Sequence, residues 1–165
     1  MRRQAKRNDA YSEGLPDNHD AGVYVAVFRL DQAKVLRVGA LGEMEFAAGC
    51  YAYVGSALSG LHARLTRHMG ASRKKLHWHI DYLARNACPL GAFAWLTREK
   101  LECRLSSRVA ELAHSSVAEF GASDCNCRSH LHFFRHDPRP VLEGLELKDS
   151  NGTPVAARIF RGAGD

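Results

Sequence analysis

Apolar residues along the chain follow two different spacings, which separate predicted strands from predicted helices. From Gly22 to Phe28 both alternating sets of positions are apolar, which is typical of a strand covered on both faces. This strand is predicted to run to Leu30. Further strands are predicted over residues 34–38, 43–46, 50–54, 91–97 and 131–134. The pattern indicates a small, mostly antiparallel sheet with the first strand at its centre.

Three segments have the three- and four-residue apolar spacing of amphipathic helices. They cover residues 58–69, 76–85 and 98–114. The apolar stripe of the first is predicted to contain Leu58, Leu61, Leu65 and Met69. Arg64 and His68 border this stripe one turn apart, so they can converge on one ligand where the helix meets the sheet. Arg67 is expected farther round, toward solvent.

The other two helices carry further candidate residues. In the second, His77 and Asp81 are predicted to form a local hydrogen-bonded pair, and Trp78 is predicted to be a packing residue. The third is predicted to bury Leu101, Leu105, Val109 and Leu112. Glu102 then lies on its flank, at the edge of the core. Strands and helices together predict an α+β fold, a small central mostly antiparallel sheet flanked by helices.

Both ends of the chain differ in composition from its centre. Residues 1–20 contain four basic side chains and almost no large apolar ones, and this segment is predicted to be a disordered basic arm. Residues 136–165 form a predicted C-terminal extension. A turn at residues 149–152 favours a peripheral hairpin between the segments 141–147 and 155–160.

Composition narrows the class of protein. A chain of 165 residues is about the size of one domain. The longest apolar run is far shorter than a membrane span needs, and the polar opening does not resemble a signal peptide, so a cytoplasmic protein that does not enter a membrane is expected. Lysine and arginine exceed aspartate and glutamate by 23 to 18, giving a net charge of +5 that favours phosphate-bearing partners. Five cysteines favour reduced thiols or a metal site over a disulfide framework.

Five residues from separate predicted elements suggest phosphodiester chemistry. They are Tyr24, Tyr53, Arg64, His68 and Glu102. Such chemistry needs a cation facing the phosphate, a group that activates water and a carboxylate that holds a divalent ion. Arg64 suits the first role, His68 or a tyrosine the second, and Glu102 is the hard oxygen ligand that Mg²⁺ prefers. Each residue alone also fits packing, a surface salt bridge or a solvated carboxylate.

Gly22-Val23-Tyr24 and Tyr53-Val54-Gly55 look like the two halves of a GIY-YIG motif, and Arg64 and His68 follow where that superfamily keeps an arginine and often a histidine. Four longer sequence segments are also similar to that superfamily and occur in the same order along the chain. They lie at residues 48–57, 76–83, 102–103 and 121–130. The chain thus resembles the compact, stand-alone prokaryotic branch of the GIY-YIG nuclease superfamily over residues 21–135.

The resemblance implies a metal-dependent endonuclease that hydrolyses phosphodiester bonds of DNA, including branched or single-stranded forms. Tyr24 and Tyr53 would then line the cleft and deprotonate or position water. Arg64 would stabilise the transition state, and His68 would assist proton transfer. Glu102 would bind one ion of Mg²⁺ or Mn²⁺. The alternative is a nucleic-acid-binding module on the same fold that has no turnover.

A second cluster of candidate ligands lies near the end of the predicted domain. Cys125, Cys127 and His130, with His77 from elsewhere in the chain, could bind Zn²⁺ if the fold brings them together. The cysteine spacing is unlike that of common zinc fingers, so a turn capped by Asp124 with buried cysteines is preferred to structural zinc. A partner-docking element is the remaining alternative.

Overall fold

A computed structural model describes residues 20–70 and 75–161. The predicted basic arm, apart from Asp20, lies outside the described residues. The described residues form eight strands: β1 (Gly22–Leu30), β2 (Lys34–Arg37), β3 (Glu43–Phe46), β4 (Gly49–Ala57), β5 (Cys88–Leu96), β6 (Ser115–Ser116), β7 (Leu131–Phe134) and β8 (Ala157–Arg161). The helices are α1 (Leu61–Met69), α2 (His79–Ala84), α3 (Glu102–Leu112) and α4 (Arg139–Glu143), with a short 3₁₀ turn at Gly39–Leu41. Within these ranges no helix has the length and apolarity needed to cross a bilayer.

Six strands form one antiparallel sheet in the order β6-β7-β4-β1-β5-β8, and β2 pairs with β3 in a separate two-stranded sheet. The predicted α+β class is confirmed. So is the central position of β1, which is flanked by β4 and β5 and buried along its whole length except at Arg29. Burial on both faces explains why the sequence of this strand does not alternate between apolar and polar residues.

The two faces of the sheet belong to two different cores. Tyr24, Ala26 and Phe28 point to the side covered by α1, α2 and the β2-β3 hairpin. Val23 and Val25 lie on the other face, where they share a core with α3 and the segment around α4. Because side chains alternate along a strand, β1 supplies both cores at once.

The connection between β4 and α1 differs from the prediction. Gly55 and Ser56 do not end the strand, because β4 continues to Ala57. The chain turns at residues 58–60, where Gly60 has a φ of 69°, a left-handed conformation that favours glycine. Helix α1 therefore starts at Leu61, and Leu58 is 75% exposed instead of lying in the buried stripe.

The C-terminal part also departs from the prediction. The predicted hairpin is present only next to its turn, where Lys148 and Pro154 form an isolated antiparallel bridge and the Val155 N–H donates to the Leu147 carbonyl oxygen. Farther from the turn the two segments separate, because the first contains the end of α4 and β8 pairs with β5 as an edge strand of the main sheet. Leu142 and Leu147 are buried in the same core as α3. Residues 136–161 thus pack onto the domain. In α3 itself, Leu112 is 46% exposed because the helix ends there, one turn beyond its last buried residue.

A buried histidine connects α3 to the edge of the sheet. His132 of β7 lies 2.8 Å from the hydroxyl of Ser106 through Nε2, and 2.8 Å from the hydroxyl of Ser116 through Nδ1. Ser106 donates its own proton to the Ser129 carbonyl oxygen, so it accepts a hydrogen bond from His132 Nε2–H. Burial, and then the nearby His130, lower the pKa of His132 to about 4. The ring is therefore neutral in the folded protein.

This histidine should make the fold sensitive to acid. The unfolded chain takes up the proton at the ordinary pKa of 6.5, whereas the folded chain resists until about 4. Stability is therefore fully present above the unfolded pKa and is lost as the pH falls below it, by about 2 to 3 kcal/mol at about pH 4.5. Urea unfolding at about pH 7 and about pH 4.5 measures this loss, which should be smaller in His132→Gln. Equal losses in both proteins would contradict the assignment.

Candidate active site

The five candidate residues are distant in sequence but line one cleft of about 330 Å³. The cleft lies where β1 begins and the antiparallel strand β4 ends. Tyr24 comes from β1, Tyr53 from β4, Arg64 and His68 from α1, and Glu102 from the first turn of α3. The cleft is formed where strand β4, helix α1 and the start of α3 meet.

Close packing of a tyrosine on a glycine shapes the floor of the cleft. Tyr24 pairs with Gly55 across β1 and β4. A Cβ added at Gly55 would overlap the Tyr24 hydroxyl and lie 2.5 Å from ring carbon Cζ, so only a glycine admits the ring. The ring centroid of Tyr53 lies 6.4 Å from that of Tyr24 on the same face. Tyr51 is buried in the core on this face of the sheet, and its hydroxyl donates to the Ala47 carbonyl oxygen.

His68 lies behind Tyr24 and not at the surface edge of α1. It is 2% exposed, and its Nε2 lies 2.8 Å from the Tyr24 hydroxyl. Its other ring nitrogen, Nδ1, lies 4.0 Å from Asp81 Oδ1. Both side chains line the cleft, so the Tyr24 hydroxyl and the imidazole form one hydrogen-bonded pair in its wall.

Asp81 anchors this buried arrangement; its contacts correct one prediction and confirm another. Its Oδ2 accepts a hydrogen bond from Arg67 Nη2 at 2.8 Å, so Arg67 turns toward the protein and not toward solvent. The same oxygen accepts from the backbone N–H groups of His77 and Trp78, which confirms the predicted hydrogen-bonded pair of His77 and Asp81 and shows that His77 forms it through its main chain. Burial raises the pKa of Asp81, but these hydrogen bonds outweigh it and lower the pKa below its usual value.

Burial also governs the two tyrosines of the cleft. It raises the pKa of Tyr24 well above the ordinary value, and Tyr53 adds to the rise while Arg64 opposes it. The pKa of Tyr53 is raised too, by burial and then by the negative charge of Glu102. Both side chains are therefore neutral phenols near neutral pH, able to donate a hydrogen bond but poor as bases.

Arg64 is held in place from two directions. Its Nη1 donates to the Ser56 carbonyl oxygen at 2.9 Å, and its guanidinium carbon lies 4.7 Å from the centroid of the Trp78 ring. Arg67 lies 4.8 Å from the same ring. Trp78 thus lines the cleft as a cation–π platform for both arginines, a role that the prediction of simple packing missed.

Glu102 is a negatively charged group of the cleft and, like Arg64, contacts Ser56. Its Oε2 accepts a hydrogen bond from Ser56 Oγ, and its Oε1 lies 2.7 Å from His130 Nδ1. Burial raises the pKa of Glu102, but the hydrogen bonds from His130 and Ser56 and the charge of Arg64 lower it below its usual value overall. The carboxylate is therefore ionised near neutral pH, and its side chain is 26% exposed.

Two further residues of the cleft were not among the predicted site residues. His79 accepts a hydrogen bond from the Gly121 backbone N–H through Nδ1 at 3.1 Å, which leaves its proton on Nε2. Burial lowers the pKa of His79, in agreement with a neutral ring. Asp124, predicted only to cap a turn, is exposed and lines the cleft. Neither placement is visible in the sequence, because both depend on how the loop 117–130 folds back.

Three cysteines and one histidine lie together on the far side of Glu102. They are Cys103, Cys125, Cys127 and His130, and their ligand atoms are all within 4.8 Å of one another. His77, the predicted fourth member, lines the cleft instead. Cys125 and Cys127 are half-buried and not fully buried as predicted. Burial and the neighbouring thiols raise the pKa of Cys103 to about 12. The arrangement is a candidate metal centre of the Cys₃His type.

Comparison with known proteins places the chain in a family. A family model described as "Domain of unknown function DUF123" matches residues 23–149. The chain belongs to this family. No curated protein and no solved structure matches the chain. The DUF123 match starts in β1 and ends after α4, so it includes every residue of the cleft and of the Cys₃His cluster.

The packing of Tyr24 on Gly55 in this DUF123 domain can be tested by Gly55→Ala. Because the added methyl group overlaps the Tyr24 ring, we expect a loss of about 1 to 3 kcal/mol in the free energy of unfolding. Urea denaturation of this variant measures the loss. Gly144→Ala is the control, since only the Val141 carbonyl oxygen lies near that position, at 3.9 Å. In a Tyr24→Ala background, Gly55→Ala should lower the free energy of unfolding by much less. An equal loss in that background would contradict this account.

Proposed function

We propose that this chain is a GIY-YIG-type endonuclease that hydrolyses phosphodiester bonds of DNA with the help of one divalent cation. The observation that carries the proposal is that Tyr24, Tyr53, Arg64 and Glu102, from four different elements, line one cleft. Hydrolysis of a phosphodiester requires a cation facing the phosphate, a carboxylate that can hold a metal ion and a group that positions water. The guanidinium, the carboxylate and the neutral phenols of the cleft match these requirements. The net charge of +5 favours approach of a polyanion.

Arg64 is the group for the scissile phosphate. Trp78 and the Ser56 carbonyl oxygen hold its guanidinium at the cleft, so little conformational freedom is lost when a phosphate binds. The planar guanidinium can pair with two phosphate oxygens and oppose the charge that develops on them. His79, with its proton on Nε2, supplies a second, neutral donor to the same cleft.

Glu102 fits the role of a ligand for Mg²⁺ or Mn²⁺. The carboxylate is ionised and partly exposed, and these ions commonly take one or two carboxylates with water and substrate oxygens in the remaining positions. When bound, such an ion supplies Lewis-acid stabilisation of the phosphate and a more acidic water. Ser56 and His130 fix the orientation of the carboxylate beforehand.

Tyr24 is better suited to positioning the attacking water than to removing its proton directly. Its raised pKa keeps the hydroxyl protonated, and His68 Nε2 lies 2.8 Å behind it. A proton can therefore pass from the water side of Tyr24 to His68 while the hydroxyl stays neutral. Asp81, 4.0 Å from the other nitrogen of His68, favours the protonated imidazole that results.

The test is incubation with supercoiled plasmid and with labelled single-stranded and branched oligonucleotides, with and without Mg²⁺ or Mn²⁺. Metal-dependent products are expected from the wild type. Arg64→Ala and Glu102→Gln should each lower the cleavage rate about 100-fold or more, because each removes a group that acts on the charge of the transition state. Trp78→Leu should have a smaller effect, since it leaves Arg64 in place without its platform.

Two substitutions on the exposed side of α3 serve as matched controls. Arg108→Ala and Glu111→Gln remove the same charges from a surface ion pair that lies outside the cleft, so both should cut at the wild-type rate. If the wild type binds the oligonucleotides and produces no cleavage with either metal, the catalytic proposal fails and a nucleic-acid-binding module remains. Cleavage that survives in Arg64→Ala and Glu102→Gln would instead point to a contaminating nuclease.

A further inference from the structure

The Cys₃His cluster combines ligands from two distant parts of the chain. Cys103 is in the first turn of α3, whereas Cys125, Cys127 and His130 belong to the loop that leads into β7. We propose that these four residues bind one zinc ion, at a site separate from the divalent cation of the cleft. In this set Cys103 takes the place of His77, which was a candidate ligand in the sequence.

The spacing of the ligand atoms agrees with tetrahedral zinc. With Zn–S bonds of about 2.3 Å and Zn–N bonds of about 2.0 Å, sulfur and nitrogen ligands lie about 3.5 Å apart across a tetrahedron. Cys125 Sγ is 3.5 Å and Cys103 Sγ is 4.0 Å from His130 Nε2. Small side-chain movements therefore bring the ligands to bonding distance. Soft thiolates with one imidazole select zinc over the hard cations Mg²⁺ and Mn²⁺.

The loop that carries three of the ligands has few other features that fix its conformation. Residues 117–130 contain no helix or strand, and Phe120, Ser129 and His130 are the only buried side chains among them. Backbone hydrogen bonds anchor the ends of the loop, from Glu119 to Arg128 and from His130 to Phe120. The middle, which holds Cys125 and Cys127, lacks an apolar anchor. A metal link to α3 would supply the missing constraint, as structural zinc does in small domains.

His130 connects the proposed zinc site to the cleft. Its Nε2 faces the thiols, and its Nδ1 lies 2.7 Å from Glu102 Oε1. Zinc on Nε2 would place the ring proton on Nδ1, where it donates to the carboxylate. His130 then acts as a positioning residue for Glu102. This coupling rests on the proposed function, whereas the zinc site does not.

Zinc binding is tested on the full chain purified under reducing conditions without chelators. We expect about one zinc per chain by elemental analysis. Exchange with Co²⁺ should give the sulfur-to-metal charge-transfer and visible absorption typical of tetrahedral thiolate coordination. Cys125→Ser should lose most of the metal, and Cys88→Ser should keep it, because Cys88 is exposed and outside the cluster.

A second variant keeps the test decisive if Cys125→Ser does not fold. Cys125→His retains four ligands, so it should keep about one metal per chain and shift the cobalt spectrum toward a two-sulfur site. Wild-type protein that contains no zinc, takes up no Co²⁺ and has all its accessible thiols free to react would overturn the proposal. So would metal that stays bound at the wild-type level in Cys125→Ser.

His130→Cys separates the zinc site from its effect on the cleft. Four sulfur ligands should still hold about one zinc, but the hydrogen bond to Glu102 is lost, so cleavage should fall while the metal content does not. Unchanged cleavage in this variant would overturn the coupling and leave the zinc site intact. A wild type that holds zinc and cuts no nucleic acid would refute the nuclease and the coupling together, because metal content is measured without a substrate.

Discussion

The packing of the Tyr24 ring against Gly55 is the contact on which the rest of the cleft depends. It requires strands β1 and β4 to be neighbours in one register, with no side chain at the position opposite the ring. The ring then brings its hydroxyl to His68 of α1, which fixes where that helix crosses the sheet. A helix placed in this way carries Arg64 to the Ser56 carbonyl oxygen at the end of β4. The geometry of the cleft thus follows from a constraint within the sheet.

Strands that form continuous apolar runs in the core could be predicted from the sequence. Strands β1 and β7 have the predicted bounds, because both are apolar runs that the core covers. Predictions failed where an apolar residue stays exposed, as Leu58 does in the turn before α1. They also failed at β8, which pairs with β5 far away in sequence instead of with its predicted neighbour. Local spacing cannot distinguish a hairpin partner from an edge strand that joins a distant one.

The candidate site likewise contains residues that could be predicted from the sequence and residues that could not. The tyrosines and Arg64 could be proposed because short motifs fix their positions along the chain, and Glu102 because the apolar spacing of the third helix places it on the flank. The role of Trp78 could not, since it depends on Arg64 and Arg67 of α1 lying 4.7 Å and 4.8 Å from the centroid of one ring. Cys103 was likewise missed, because nothing in its local sequence connects it with a loop that folds back onto α3. Contacts between distant segments arise from packing and leave no periodic signal.

The position of Glu102 indicates why a cleft and a thiol cluster occur in one small domain. As the first residue of α3, it is adjacent in sequence to Cys103, so a single helix start provides a group to each site. Its two carboxylate oxygens contact Ser56 of the sheet and His130 of the loop. Any movement of the loop 117–130 would therefore move a hydrogen-bond donor away from the carboxylate. An isolated carboxylate on a helix flank would have no such orientation, and its ability to hold a divalent cation in one geometry depends on the elements that fix it.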